Sequence, residues 1–81
     1  MRVRVVPFAR LRELVGEGAL LRDLPDGTTA GDAWDALAIE FPALVELERS
    51  TRLARNGSFV TRLSPLADGD ELALLPPYGG G

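Results

Sequence analysis

The stretch Glu71-Leu72-Ala73-Leu74-Leu75-Pro76-Pro77-Tyr78-Gly79-Gly80-Gly81 closes the sequence. Side chains alternate between the two faces of a strand. In a strand, Leu72 and Leu74 would therefore share one face, and Ala73 and Leu75 the other. A strand with one solvated face usually alternates apolar with polar residues, so this stretch predicts a strand that is apolar on both faces. The two prolines lack the N–H groups needed for further pairing and end the strand at Leu75.

Working outward from this strand, alternation, helical spacing and turn residues divide the remaining sequence into short elements. The predicted elements are a strand at 2–8, a short helix at 9–15, a strand at 19–24, the main helix at 30–41, a turn of helix near 44–47, a hairpin around Asn56-Gly57, and the last strand at 71–75. A turn at Asp68-Gly69 precedes the last strand. This order predicts an α+β fold with a mixed sheet of four to five strands.

The main helix has the clearest pattern. Ala33, Leu37 and Phe41 lie four residues apart and form one apolar stripe. Thr28 or Thr29 is suited to cap the first turn. With Thr29 as the cap, Asp32 lies at the third position, where it complements the exposed amides. The proline after Phe41 disfavours helical geometry and ends the helix there.

One main helix covers only one face of a sheet of this size, so the other face is predicted to be open. The apolar residues Ala73 and Leu75 on that side indicate a partner surface. A sheet curled enough to bury both faces is the alternative.

Composition bounds the chemistry. The 81 residues are interpreted as one domain at 1–75 followed by an extended tail at 76–81. The sequence contains no cysteine, histidine or lysine, and all nine cations are arginine. These absences exclude thiol, imidazole and amine chemistry within the chain and predict that it has no metal site. The candidates that remain are carboxylates, hydroxyls and the terminus.

The net charge of −3 argues against direct binding to nucleic acid. No apolar run approaches the roughly 20 residues that a membrane span requires, and the first residues resemble a signal peptide only weakly. A cytoplasmic protein without a membrane partner is expected. The acidic residues Asp68, Asp70 and Glu71 are interpreted as a turn followed by solvated groups at a strand entry, rather than as a metal or acid–base cluster.

Four stretches, in order along the chain, resemble the small subunits of molybdopterin synthase, a family of ubiquitin-like β-grasp sulfur carriers. These stretches are Phe8-Ala9-Arg10-Leu11-Arg12-Glu13-Leu14-Val15-Gly16, Asn56-Gly57, Pro65-Leu66-Ala67-Asp68-Gly69-Asp70-Glu71-Leu72 and Leu75-Pro76-Pro77-Tyr78-Gly79-Gly80-Gly81. The related thiazole-forming carriers share the Gly-Gly end but usually lack Pro-Pro. The resemblance implies a ubiquitin-like β-grasp fold.

The resemblance also implies a mechanism centred on Gly80 and Gly81. An adenylating enzyme of the ubiquitin-activating type would use ATP to convert the Gly81 carboxylate to an acyl-adenylate. A persulfide donor would then supply sulfur to form a thiocarboxylate. The loaded tail would enter the synthase large subunit, in a heterotetramer, and pass sulfur to a cyclic pyranopterin precursor of the molybdenum cofactor. The chain would bind no cofactor and would not be an enzyme by itself, since the active site would lie in the large subunit.

The resemblance assigns partner contacts to both the open sheet face and the tail. The implied partner-binding residues are Phe8, Phe59, Leu75, Pro76, Pro77, Tyr78 and Gly79. Phe59 follows a hairpin and could instead belong to the core. Tyr78 and Gly79 depart from the small aliphatic residue and the Ala or Thr that are common in the family, which leaves open how the neck of the tail packs.

Two other functions fit the same residues. One is a related carrier for thiamine thiazole synthesis or tRNA thiolation, with conjugation to other proteins as a further use of the same tail. The other is a β-grasp adaptor whose tail has no chemistry, in which case residues 76–81 are an ordinary frayed terminus.

Overall fold

The structure is a computed structural model and describes residues 1–77. The chain forms five strands and three helical segments. They are β1 (Arg2–Pro7), α1 (Ala9–Val15), β2 (Leu20–Asp23), α2 (Ala30–Glu40), a 3₁₀ helix (Pro42–Ser50), β3 (Arg52–Arg55), β4 (Ser58–Val60) and β5 (Glu71–Leu75). The predicted α+β fold with a mixed sheet is confirmed, and the predicted elements shift by only a few residues at their ends.

The five strands form one sheet in the order β2-β1-β5-β3-β4. The last strand in sequence, β5, therefore lies in the centre. It pairs parallel with β1, with Val5 opposite Leu72, and antiparallel with β3, with Leu53 opposite Leu74. The backbone N–H and C=O groups of β5 are therefore paired along both of its edges, and β5 does not lie at the edge of the sheet.

The core lies between the sheet and α2. Val3, Val5, Leu72 and Leu74 on the sheet and Trp34 on α2 are almost completely buried. The other members of the core cluster are Leu11, Val15, Leu20, Ala30, Ala33, Leu37, Leu44, Leu53 and Leu66. Because α1, α2 and the 3₁₀ helix all contribute to this cluster, they pack toward the same face of the sheet.

The predicted cap of α2 is present. The Thr29 hydroxyl accepts a hydrogen bond from the Asp32 amide, and the Asp32 carboxylate accepts one from the Thr29 amide, each at 3.1 Å. This reciprocal pair satisfies two donors at the start of the helix. At the other end, Phe41 is the first residue beyond α2.

No helix within residues 1–77 is both long and apolar enough to cross a membrane.

The β3–β4 hairpin turns at Asn56 and Gly57, which both have positive φ angles, 49° and 87°. This combination fits the tight hairpin turn for which Asn-Gly is preferred. Asn56 also binds the neighbouring strand. Its backbone amide donates to the Glu71 carbonyl, and its side-chain oxygen accepts from the Glu71 backbone amide, each at 2.9 Å. The predicted hairpin is confirmed, and it is fixed to β5.

The interpretation of Asp70 as a solvated group is wrong, because the residue is buried, with 6% of its surface exposed. The carboxylate accepts hydrogen bonds from Arg55 at 2.5 Å, from Asn56 at 2.9 Å and from the Ala67 amide at 2.7 Å. Burial is tolerated because the charge is paired and hydrogen-bonded. The neighbouring acids have separate partners: Asp68 accepts from the Arg2 amide, and Glu71 pairs with Arg4.

The hydrogen bond from Arg55 is the main cause that lowers the pKa of Asp70. Burial acts in the opposite direction, and the bonds from Asn56 and Ala67 lower the pKa further. A carboxyl group whose pKa is lower in the folded state than in the unfolded chain stabilises the fold above the unfolded value, about 3.9. That stabilisation is lost as the pH falls through the folded value.

We therefore expect Asp70→Asn to lower the free energy of unfolding by about 2 kcal/mol at neutral pH, because it weakens a charge-assisted network. The difference between Asp70→Asn and the wild type should shrink as the pH falls below about 4. Urea unfolding across a pH series measures this difference. Asp35→Asn, which disrupts an exposed ion pair with Arg62, is the control and should change stability by less than about 1 kcal/mol. A difference for Asp70→Asn that is constant with pH would contradict the role assigned to its charge.

Candidate functional site: the outer sheet face and the base of the tail

The face of the sheet opposite α2, called the outer face below, is predominantly apolar at its centre. Strand register places Val6, Ala73, Ala54 and Phe59 side by side in one row across four strands. The two central alanines are buried and Val6 is half-buried, whereas Phe59 at the β4 edge is 58% exposed. The surface therefore has a shallow depression over the two small alanine side chains, and the Phe59 ring projects at one end of the row.

A second row lies closer to the tail. Arg52 on β3 is the register partner of Leu75 on β5. Phe8 follows β1 with an extended backbone and donates its amide to the Leu74 carbonyl at 3.0 Å, so it continues the parallel pairing beside β5. Strand alternation then places Phe8 on the outer face, where the residue is 44% exposed.

Register and alternation thus place Phe8, Phe59 and Leu75 on the same face of the sheet. The alternative position of Phe59 in the core is contradicted by its exposure. The alternative of a curled sheet that buries both faces is also contradicted, since Phe8 and Phe59 are open to solvent and Leu75 is half-buried.

Charged residues border this apolar area on the side away from the tail. Arg2 pairs with Asp23 at 3.1 Å, and Arg4 pairs with Glu71 at 3.7 Å. The hydrogen bond between Arg2 and Asp23 lowers the pKa of Asp23 and raises that of Arg2. Each cation at this border has a carboxylate beside it, so the border is close to neutral.

The tail leaves the sheet through an open groove beside the N-terminal end of α1. Pro76 is half-buried and Pro77 is exposed. The groove has a volume of about 300 Å³, including space open to solvent, and is lined by Phe8, Arg10, Leu11, Leu47, Ser50, Thr51, Pro76 and Pro77. Helical segments on both sides therefore surround the first residues of the tail, and the prolines restrict its backbone.

Four predicted site residues, Tyr78, Gly79, Gly80 and Gly81, lie outside the described residues. The described residues end at Pro77, which lines the groove. The roles of the four residues after Pro77 remain predictions from the sequence.

Sequence reasoning identified only Ala73 in the central part of the outer face. Val6, Ala54 and Ala73 form its floor, and Arg52 lies over the Phe59 ring, 3.8 Å from the ring centroid. The Asn56-Gly57 turn fixes the pairing of Ala54 with Phe59, so this part of the row was accessible from hairpin geometry. The parallel pairing of β1 with β5 is not marked by any local turn.

The fold defines a ubiquitin-like β-grasp domain: a mixed sheet packed on one main helix, with its last strand in the centre. The chain belongs to the ThiS family, which it matches over residues 5–81. It is 38% identical over 79 residues to a molybdopterin synthase sulfur carrier subunit from Arabidopsis thaliana, covering 98% of this chain and 82% of that protein. The predicted membership of the sulfur-carrier family is confirmed.

Solved structures of similar proteins have the same fold. The crystal structure of SAMP1 from Haloferax volcanii has a TM-score of 0.83 and 34% identity, with both chains covered completely. A protein–protein complex of subunits 1 and 2 of molybdopterin-converting factor from Helicobacter pylori 26695 contains a chain with a TM-score of 0.71 and 28% identity. That match covers all of both chains.

The adjacent residues Leu74 and Leu75 test the difference between the two faces of β5. Leu74 is completely buried in the core, whereas Leu75 is half-buried on the outer face. We expect Leu74→Ala to lower the free energy of unfolding by about 3 kcal/mol, because it leaves a cavity. The matched change Leu75→Ala should cost about 1 kcal/mol or less. Chemical denaturation measures both, and equal losses would contradict the assignment of Leu75 to an open face.

Proposed function

We propose that this chain is the sulfur carrier subunit of a molybdopterin synthase. The observation that supports this most strongly is the continuity between the outer face and the tail. Leu75 ends the central strand on the outer face, and Pro76 and Pro77 follow it directly into the groove. Family membership and the name of the Arabidopsis thaliana relative support the same function.

The reactive group in this proposal is the Gly81 carboxylate, with Gly80 allowing close approach. A carboxylate is a poor electrophile until one oxygen becomes part of a good leaving group. ATP consumed by a ubiquitin-activating-like enzyme would supply that group as AMP. The terminal sulfur of a persulfide donor would displace AMP to form an acyl disulfide, and a thiol would then cleave its S–S bond, which releases the Gly81 thiocarboxylate and leaves a disulfide between the thiol and the donor. Glycine lacks a Cβ, so the backbone here can pass between walls that exclude larger residues.

The tail has a stiff part and a slender part. Pro76 and Pro77 restrict the backbone and favour an extended path, which lowers the entropy that must be lost when the tail is ordered. Residues 76–81 would span roughly 20 Å if fully extended. That length is sufficient to bring Gly81 into the interior of a second protein while the domain stays on its surface.

The outer face would dock on the large subunit. Phe8, Phe59 and Leu75 would make the apolar contacts, around the depression over Ala54 and Ala73. Their exposure in the isolated chain supports this, as does the Helicobacter pylori structure, which is a complex of two subunits. A heterotetramer of two carriers and two large subunits is the proposed assembly, in the cytoplasm.

Catalysis would reside in the large subunit and the activating enzyme. The chain has no cysteine, histidine or lysine. Three of its acidic residues, Asp23, Asp70 and Glu71, are paired with arginines. Its contribution to the reaction is the loaded terminus and the surface that directs it.

A second candidate function is protein modification. The Haloferax volcanii relative is named small archaeal modifier protein 1 and is 39% identical over 82 residues, covering 91% of this chain and 94% of that protein. The same activated Gly81 would serve both functions, since an acyl-adenylate reacts with an amine as well as with sulfur. The two functions differ in the acceptor.

Loading of Gly81 is the direct test. After incubation with ATP, the activating enzyme and a sulfur donor, the intact mass of the wild type should increase by the difference between sulfur and oxygen. Deletion of Gly81 should abolish this increase without changing the thermal unfolding midpoint, because the described core ends before it. Leu63→Ala, at an exposed position, is the control and should load normally.

Loading of the Gly81 deletion as efficiently as the wild type would contradict the proposed site. An unchanged mass for the wild type, with an activating enzyme that loads another carrier, would contradict the carrier function itself.

A further inference from the structure

We propose that Arg52 determines partner specificity, by pairing with a carboxylate that the large subunit presents beside the outer face. This inference rests on the proposed function, since it concerns the partner that docks on this face. It is carried by three observations: the ion pairing of the arginines, the stacking of Arg52 on Phe59, and the distribution of charge around the outer face.

Most arginines in the chain already have a carboxylate partner. Six of the nine lie within 4.0 Å of one: Arg2, Arg4, Arg10, Arg22, Arg55 and Arg62. Among the described residues, Arg52 makes no such pair. Its guanidinium therefore keeps its hydrogen-bonding capacity for a group outside this part of the chain.

Arg52 is nevertheless held in place. Its guanidinium carbon lies 3.8 Å from the centroid of the Phe59 ring. The two residues are diagonal neighbours on the antiparallel strands β3 and β4, because Ala54 is the register partner of Phe59. Stacking on an aromatic face leaves the edge of the planar guanidinium available to bind a carboxylate with two hydrogen bonds.

Arg52 lies on the side of the outer face next to the tail, whereas the paired arginines of this face lie on the opposite side. The side away from the tail carries the compensated pairs Arg2–Asp23 and Arg4–Glu71. The side next to the tail carries Arg52, directly opposite Leu75. The chain has a net charge of −3, so a cation without an ion pair within residues 1–77 is a local feature here and not a result of overall composition.

Charge complementarity identifies the matching group as an Asp or Glu side chain. An apolar contact alone permits a partner to rotate or slide over the sheet. A bidentate ion pair at one margin fixes the orientation of the face. Because Arg52 is next to the strand end at Leu75, that orientation also sets the direction in which the tail enters the partner.

The test measures the affinity of the full chain for the purified large subunit by calorimetry, at low and high salt. We expect Arg52→Glu to weaken binding by more than about tenfold at low salt, because a charge-assisted hydrogen bond is lost and repulsion is added. Arg52→Lys keeps the charge but not the stacked planar group and should give an intermediate loss. The salt dependence of binding should be smaller for Arg52→Glu than for the wild type.

Arg49→Glu is the matched control. Arg49 is also exposed and makes no ion pair among the described residues, but it lies on the 3₁₀ helix and not on the sheet. The substitution makes the same change in net charge, so its affinity should stay within about threefold of the wild type. Equal losses for Arg49→Glu and Arg52→Glu would show a general charge effect and would overturn the proposal.

Gly81 loading of the same variants separates this proposal from the proposed function. Normal loading of all variants, together with wild-type affinity for Arg52→Glu, overturns the role of Arg52 and leaves the carrier function intact. A large-subunit acidic residue whose change to Arg restores binding of Arg52→Glu would identify the partner carboxylate. Thermal unfolding confirms that each variant is folded.

Discussion

The central position of β5 is the constraint on which the rest of the structure depends. Neighbouring strands on both sides satisfy its backbone hydrogen-bonding groups. Leu72 and Leu74 occupy the core face and meet the residues of α2, which provides the burial that a domain of this size requires. Ala73 and Leu75 are left on the outer face, which no helix within residues 1–77 covers. The apolar outer face is therefore a consequence of using the last strand as the middle of the sheet.

In this arrangement, β5 both organises the core and positions the start of the tail. The strand that organises the core ends at the outer face and continues directly into Pro76 and Pro77. A partner that recognises the outer face therefore meets the tail at a fixed place, without any further domain to position it. The small alanines at the centre and the larger Phe8 and Phe59 at the margins give the partner a depression to fill. In complexes of this kind, such apolar contacts supply affinity, while charges at the margin supply orientation.

Local chemistry in the sequence was sufficient to predict most of the elements and part of the site. The Thr29 cap, the helical stripe ending at Phe41 and the Asn56-Gly57 turn each act over a few residues, and all three are found in the structure. The open face followed from counting helices against strands. The burial of Asp70 was missed, because its partners Arg55 and Asn56 lie about 15 residues away in sequence, and nothing local distinguishes a buried acid from a solvated one. The stack of Arg52 on Phe59 was missed for a related reason, since it depends on the exact register of the hairpin.

Sulfur transfer from the loaded chain tests the central claim most directly. The thiocarboxylated protein is mixed with the purified large subunit and the cyclic pyranopterin precursor, and the intact mass of the carrier is followed together with the formation of molybdopterin. The account predicts that the mass returns to that of the free carboxylate as molybdopterin forms, and that neither change occurs without the large subunit. A carrier that keeps its sulfur in the complete mixture, while another loaded carrier of this family delivers its own, would contradict the account.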